Sequence, residues 1–125
     1  MLMELLDLMK SRRSIRKYKK QTVPLEKIYS VLDAGRYAPS GANQQPWTYV
    51  LVTDTTLKQQ IRSEAERVET EYHKTAPPQL RDWFKRQGIT SAKPFLTDAP
   101  ALIVVAGNTK APYWLGSTWI SIAYI

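Results

Sequence analysis

Residues 101–106 read ALIVVA, six apolar side chains in succession. A strand with one wet face alternates apolar and polar positions, so a run without any polar position asks for burial on both sides. The segment therefore predicts a central strand, closed by Gly107 and Asn108, in a sheet covered on both faces by helices. A second strand is predicted over 47–53, WTYVLVT, from its aromatic and β-branched content.

Helical patterns surround these strands. Leu2, Leu5, Leu6 and Met9 recur at helical spacing and predict a short first helix ending near Ser11. Pro24 opens a second helix with Leu25, Ile28, Val31 and Leu32 on its apolar side and Gly35 near its end; it stops before Pro39. Asp54 to Thr56 offer capping oxygens, with Gln59 placed to complete a capping box. Leu57, Ile61, Ala65, Val68 and Tyr72 then form the stripe of a long surface helix that Pro77 and Pro78 end. In 79–94, Trp83, Phe84 and Ile89 keep no sustained period, which predicts a mobile, partly helical cover. Residues 113–125, YWLGSTWISIAYI, are apolar all round and carry no capping residue. Left uncovered, Trp119, Ile120, Ile122, Tyr124 and Ile125 would face water, so further polypeptide or a partner is expected over them. The expectation is one α+β domain over 1–125 that forms the N-terminal portion of a longer chain.

Composition removes several kinds of chemistry. No cysteine is present, which excludes disulfides and thiol nucleophiles, and His73 is the single histidine, so no metal site is expected. No stretch approaches the roughly 18 apolar residues of a membrane span. MLMELLDLMK lacks the cationic start and cleavage site of a secretory leader, which makes the cytoplasm the default location.

The charge is concentrated instead. Of 18 Lys and Arg, seven fall in residues 10–20, KSRRSIRKYKK, which contain no acid; eleven then remain to balance eleven Asp and Glu, and the net charge of +7 resides in this run. Three readings compete. The run is a solvated loop, or it binds a nucleic-acid backbone, for which Tyr18 is its one aromatic platform, or it holds a single phosphate through Arg12, Arg13, Ser14 and Arg16. Composition alone leaves all three open. Downstream, 39–46, PSGANQQP, is rich in turn formers and predicts an exposed, shaped loop.

RRSIRKY at 12–18, a helix begun by proline, APSGANQQPW at 38–47 and DAPALIVVAG at 98–107 together resemble the FMN-dependent nitroreductase family. The resemblance covers most of the chain. It implies the family's α+β sheet between helices, normally in an intertwined homodimer, and it implies bound FMN with NAD(P)H as electron donor. Known members are longer, with later segments that reach across the dimer and complete the flavin site.

By the same resemblance, Arg12 binds the flavin phosphate, Ser14 supplies a hydroxyl beside it and Arg13 lines the pocket. Arg16 matches the cation next to the ring edge where negative charge gathers on reduction, a catalytic role of electrostatic kind. Pro39, Ser40, Gly41, Ala42 and Asn43 match the loop that packs on the flavin held mainly by the other subunit. Gly41 would allow close approach to a flat ring and leave the Ala42 N–H free to donate. The pairing of PSGA with KPFLTDAP is most similar to the iodotyrosine deiodinase branch. Ala42, Tyr72 and Lys93 then fall at substrate-binding positions, and the Glu which that branch places four residues before the Tyr is Val68 here.

The expected activity is electron transfer from NAD(P)H to a small aromatic acceptor such as a nitroarene, quinone or halophenol, with no nucleic acid and no membrane as partner. Reductive dehalogenation of the deiodinase type is the alternative within the family. A basic module for polyanions is the rival from another class, and a structural fragment without activity is the third.

Overall fold

The computed structural model describes residues 4–125; of the first helix's apolar positions, Leu2 lies outside the described residues. Two strands, β1 (Trp47–Val52) and β2 (Leu102–Gly107), pair antiparallel with Tyr49 opposite Val105 and Leu51 opposite Ile103. Around them run α1 (Leu5–Ser11), α2 (Leu25–Arg36), α3 (Thr55–Thr75), α4 (Pro78–Gln87), a single turn α5 (Phe95–Asp98) and α6 (Trp114–Tyr124). The α+β class is as expected. Helices α2 and α6 meet each other, and α6 touches both strands. Along the sheet's other face the cover is local: Val52 is buried, while Val50 and Val104, paired with each other, are 49% and 44% exposed. The doubly buried strand read from ALIVVA is thus half open within the described residues.

Helix α6 is inverted relative to an ordinary surface helix. Ser117, Thr118 and Ser121 are buried, whereas Trp119 is 63% exposed and Ile120, Ile122, Tyr124 and Ile125 also face outward, as anticipated for this segment. The hydroxyls explain the inward face. Ser121 Oγ donates to the Gly35 carbonyl (3.0 Å) and bonds the Tyr49 hydroxyl, which ties the end of α2 and β1 to α6. Gly35 belongs to this junction, since a Cβ there would stand 2.6 Å from the Tyr49 hydroxyl. Buried hydroxyls with partners are directional, so they fix which side of α6 turns inward despite its apolar composition.

Helix α3 departs from its reading in a related way. Its cap is as predicted, the Asp54 carboxylate accepting from Leu57 N–H at 2.7 Å, but Gln59 bonds Ser63 rather than closing a capping box. Of the predicted apolar stripe, Leu57, Val68 and Tyr72 are exposed. The buried position is Lys58, 6% exposed, whose Nζ donates to the carbonyls of Ala99 (2.6 Å) and Thr97 (3.3 Å). Residues 79–94 are partly helical, as expected: α4 runs to Gln87, with proline at its start and a left-handed Gly88 at its end. Pro78 begins this helix, a use of proline that the reading of Pro77 and Pro78 as a stop passed over.

Lys58→Ala removes a donor from two carbonyls that the fold encloses, a cost of about 1–3 kcal/mol. The thermal midpoint is expected to fall by several degrees, at least about 3 °C, with Gln59→Ala on the exposed side unchanged. Equal melting of the two variants would contradict the assigned role of Lys58.

Candidate functional site

Lys93 is held from two directions by α3. The Glu66 carboxylate accepts the Lys93 backbone N–H at 2.7 Å and Arg62 Nε at 2.8 Å, while Arg62 Nη1 reaches Thr97 Oγ1 at 2.9 Å. One turn on, Glu69 Oε2 lies 3.2 Å from Lys93 Nζ. Its other oxygen stands 3.5 Å from His73 Nε2, which is buried and outside hydrogen-bond geometry, and the imidazole stacks on Phe84 at 4.4 Å. The positions 58, 62, 66, 69 and 73 follow helical spacing, so one polar stripe of α3 clasps residues 93–99. The N–H of Lys93, followed by the Arg62 guanidinium, holds the Glu66 carboxyl below its usual range.

A groove of about 620 Å³ opens beside this arm, lined by Arg16, Trp83, Gln87, Ile89, Thr90, Ala92, Lys93 and Phe95. Two cations and two aromatic rings therefore meet in one concavity large enough for a flat ring system. Because Glu69 offsets Lys93, Arg16 is the cation there without a carboxylate partner among the described residues. The run that delivers it, 12–19, is exposed and has neither helix nor strand. Among the described residues, no ion pair involves any of residues 10–20. Arg13 Nη1 is engaged locally, donating to the carbonyls of Lys10 (2.6 Å) and Arg12 (2.8 Å); Arg12, Ser14 and Arg16 stand open to solvent.

The second feature is the turn at Pro39 to Asn43. Gly41–Asn43 form one turn of 3-10 helix, with Ala42 at φ 52°, Asn43 at φ 51° and, just beyond, Gln45 at φ 46°. Left-handed backbone costs an L residue such as alanine about 1–2 kcal/mol. The local bonds that sustain it are Gln45 N–H to Ser40 Oγ (3.0 Å), Asn43 N–H to the Ser40 carbonyl (3.0 Å) and Gly41 N–H to Ser117 Oγ (3.1 Å). Gly41 is required by contact, for a Cβ there would overlap the Tyr113 ring. Ala42 and Asn43 are exposed, and the Ala42 N–H has no acceptor among the described residues.

The structure thus brings Arg16 and Lys93 to one groove. It leaves Tyr72 outside, edge-on to Phe84 at 6.3 Å, and joins the turn at 40–43 to α6 rather than to the arginines of 12–16. Sequence reasoning missed Trp83 and Phe95 as groove walls, Glu66 and Glu69 as the holders of Lys93, and Ser117 and Tyr113 as the seat of the turn. The acids were legible at helical spacing from Arg62, but the apolar stripe had been given the helix. Nothing in an apolar terminal segment pointed to Ser117.

The model of the nitroreductase family matches residues 9–122. Among known proteins, the chain is 39% identical over 121 residues to the iodotyrosine deiodinase of Thermotoga neapolitana; this is 97% of the chain and 65% of that protein. The crystal structure of oxidized iodotyrosine deiodinase bound to FMN and 3-iodo-L-tyrosine superposes with a TM-score of 0.90 at 39% identity, covering 97% of this chain and 66% of that one. A Bacteroides fragilis nitroreductase with bound FMN gives a TM-score of 0.71 at 26% identity, over 98% of this chain and 62% of its own. The chain therefore spans about two thirds of the length of these relatives.

Lowering the pH tests the hold on Lys93. A carboxyl whose folded pKa is depressed adds stability that is complete above the ordinary carboxylate range and is lost as pH falls through the folded value. The melting difference between wild type and Glu66→Gln should be largest near neutrality and shrink below about pH 4; a constant difference across that range would show that the charge of Glu66 is irrelevant.

Proposed function

The chain belongs to the nitroreductase family, and on that premise we propose that it is an FMN-dependent oxidoreductase that passes electrons from NAD(P)H to a flat aromatic acceptor such as a nitroarene, quinone or halophenol. The observation that carries this reading is the groove where Arg16 and Lys93 meet Trp83 and Phe95.

The residues present fit FMN. Among the described residues, Arg12, Ser14 and Arg16 are cationic or hydroxyl donors with no counterion, and the exposed Ala42 N–H is a further donor without an acceptor. In this reading Arg12, Arg13 and Ser14 hold the phosphate, Arg16 lies at the ring edge, and Pro39, Ser40, Gly41, Ala42 and Asn43 pack against the ring. FMN supplies the two-electron redox chemistry when bound. Arg16 keeps its positive charge at any working pH, so it stabilises negative charge that builds beside it without exchanging a proton. Trp83 and Phe95 exclude water and offer faces for a flat acceptor. Lys93 and Tyr72 are the substrate-side residues, and Ala42 contributes from the turn. No side-chain nucleophile or metal takes part.

The arginine run and the 40–43 turn occupy separate places in one chain, which favours a homodimer in which each flavin is shared between two copies. The outward apolar face of α6 suits such a contact. Among the described residues no helix is long and apolar enough to cross a membrane. A cytoplasmic setting, where NAD(P)H is supplied, completes the proposal, with no role for nucleic acid.

A second reading, reductive dehalogenation, is favoured by the 39% identity to a deiodinase and the TM-score of 0.90 against one bound to 3-iodo-L-tyrosine. Position 68 bears on it: Val68 is exposed and has no carboxylate, and the acid that meets Lys93 is Glu69, already in an ion pair.

Protein purified with FMN is expected to be yellow and to consume NAD(P)H when a nitroarene or quinone is added. Arg16→Ala should lower the rate of flavin reduction or the retention of FMN by about tenfold or more, the scale of losing a fixed charge where charge develops. A colourless protein that binds RNA or DNA with steep salt dependence would overturn the reading in favour of a polyanion module. Between the two enzymatic readings, iodophenol should turn over at least as well as 3-iodotyrosine if the chain lacks a grip on the amino acid; a marked preference for 3-iodotyrosine would establish the deiodinase.

A further inference from the structure

The turn at 40–43 is strained, exposed at its tip and anchored at its base by two residues outside the stretches 12–18 and 38–47. Ser117 is buried, and its hydroxyl oxygen accepts the Gly41 N–H at 3.1 Å, a contact between positions far apart in sequence. Tyr113, itself left-handed at φ 55°, lays its ring where a side chain at Gly41 would project, although the residue as a whole is largely exposed. Both belong to the start of α6. The Ser121 hydroxyl fixes that helix in turn to Gly35 and Tyr49, while Thr118 Oγ1 donates to the Trp114 carbonyl within α6.

A short loop with left-handed residues at 42, 43 and 45 has several cheaper conformations available, and persists in one only where its surroundings over-determine it. The Ser40, Asn43 and Gln45 bonds are internal to the loop and close it without orienting it. Ser117 and Tyr113 are the contacts that tie the Gly41 end to the body of the protein. We propose that Ser117 and Tyr113 are positioning residues for flavin binding: together they hold the turn so that the Ala42 N–H and the glycine backbone are presented preformed, and α6 thereby sets cofactor affinity without touching the cofactor. This rests on the reading of 40–43 as a flavin-packing turn.

The experiment is an FMN titration of wild type, Ser117→Ala, Tyr113→Ala and Tyr113→Phe, with the visible circular dichroism of the bound flavin recorded beside thermal melting. Ser117→Ala leaves the Gly41 N–H without its acceptor, and its FMN dissociation constant should rise about tenfold, the effect of one hydrogen bond to an enclosed donor. Tyr113→Ala should act in the same direction with little change in melting, because the side chain lies at the surface, while Tyr113→Phe keeps the ring and should match wild type. In both weakened variants the flavin's visible dichroism should change, a signature that mere loss of stability does not produce. If the alanine variants melt lower yet bind FMN with wild-type affinity and unchanged dichroism, the two residues are structural only and the proposal is overturned. Should Ser117→Ala not fold, Tyr113→Ala alone decides it on the same terms. Wild-type protein that takes up no FMN would overturn the flavin reading itself, an outcome distinct from wild-type binding with unaffected variants.

Discussion

The inward hydroxyls of α6 are the constraint from which the rest of the architecture follows. A helix that carries bulky apolar side chains on every side has no strong preference for which side to bury, so hydrophobic burial alone would leave its rotation undefined. Ser117 and Ser121 remove that freedom, because each reaches a specific partner: the Gly41 N–H, and the Gly35 carbonyl with the Tyr49 hydroxyl. One rotation satisfies both. It brings the end of α2, the first strand and the 39–43 turn into register, and it directs Trp119, Ile120 and Ile122 outward.

The same exchange of roles organises the other half of the molecule. On α3 the polar stripe, from Lys58 through Arg62, Glu66 and Glu69, is the side that grips its neighbour, while Leu57 and Val68 stay exposed. Two carbonyls, a backbone N–H and a threonine hydroxyl of residues 93–99 find their partners there. Residues 93–99 have only the single helical turn α5 as regular structure, so directional bonds from α3 fix where they lie. The groove wall that carries Lys93 is consequently fixed by charges one helix away from it.

This exchange also marks where the sequence was readable. Both strands, the Asp54 cap, the exposed PSGAN loop and the bare apolar face of 113–125 follow from local chemistry, since each depends on residues within a few positions. The cation cluster stood out by composition, and Arg16 with Lys93 emerged from matched motifs before any geometry. What escaped was chiefly long-range: which side of α3 would be buried and that Ser117 would serve Gly41; locally, Pro77 and Pro78 end α3 as read, but Pro78 also starts α4. Hydrophobic periodicity ranks helix faces by transfer free energy and assigns no value to a polar side chain whose partner lies elsewhere in the chain. Lys58 is the plainest instance, a residue that such a ranking puts in water and that two carbonyls draw inside.

On the flavin reading, phosphate and ring make different demands, and the fold would meet them by different means. A phosphate is compact and doubly charged, so a few cations close to it attract it by charge alone, without precise geometry. Its recognition therefore tolerates an exposed, irregular segment, provided nothing internal neutralises the charge. That condition holds for residues 10–20, while Asp33, Glu64, Glu66, Glu69 and Glu71 are occupied by cations elsewhere. A flat conjugated ring carries diffuse charge and gains specificity only from groups already in place, since each one ordered at binding subtracts from the affinity. Accordingly, α3 holds Lys93 and α6 holds the turn, while residues 12–19 have neither helix nor strand. Under the flavin reading, the basic run supplies charge attraction, while α3 and α6 hold in place groups whose prior order adds to both affinity and orientation.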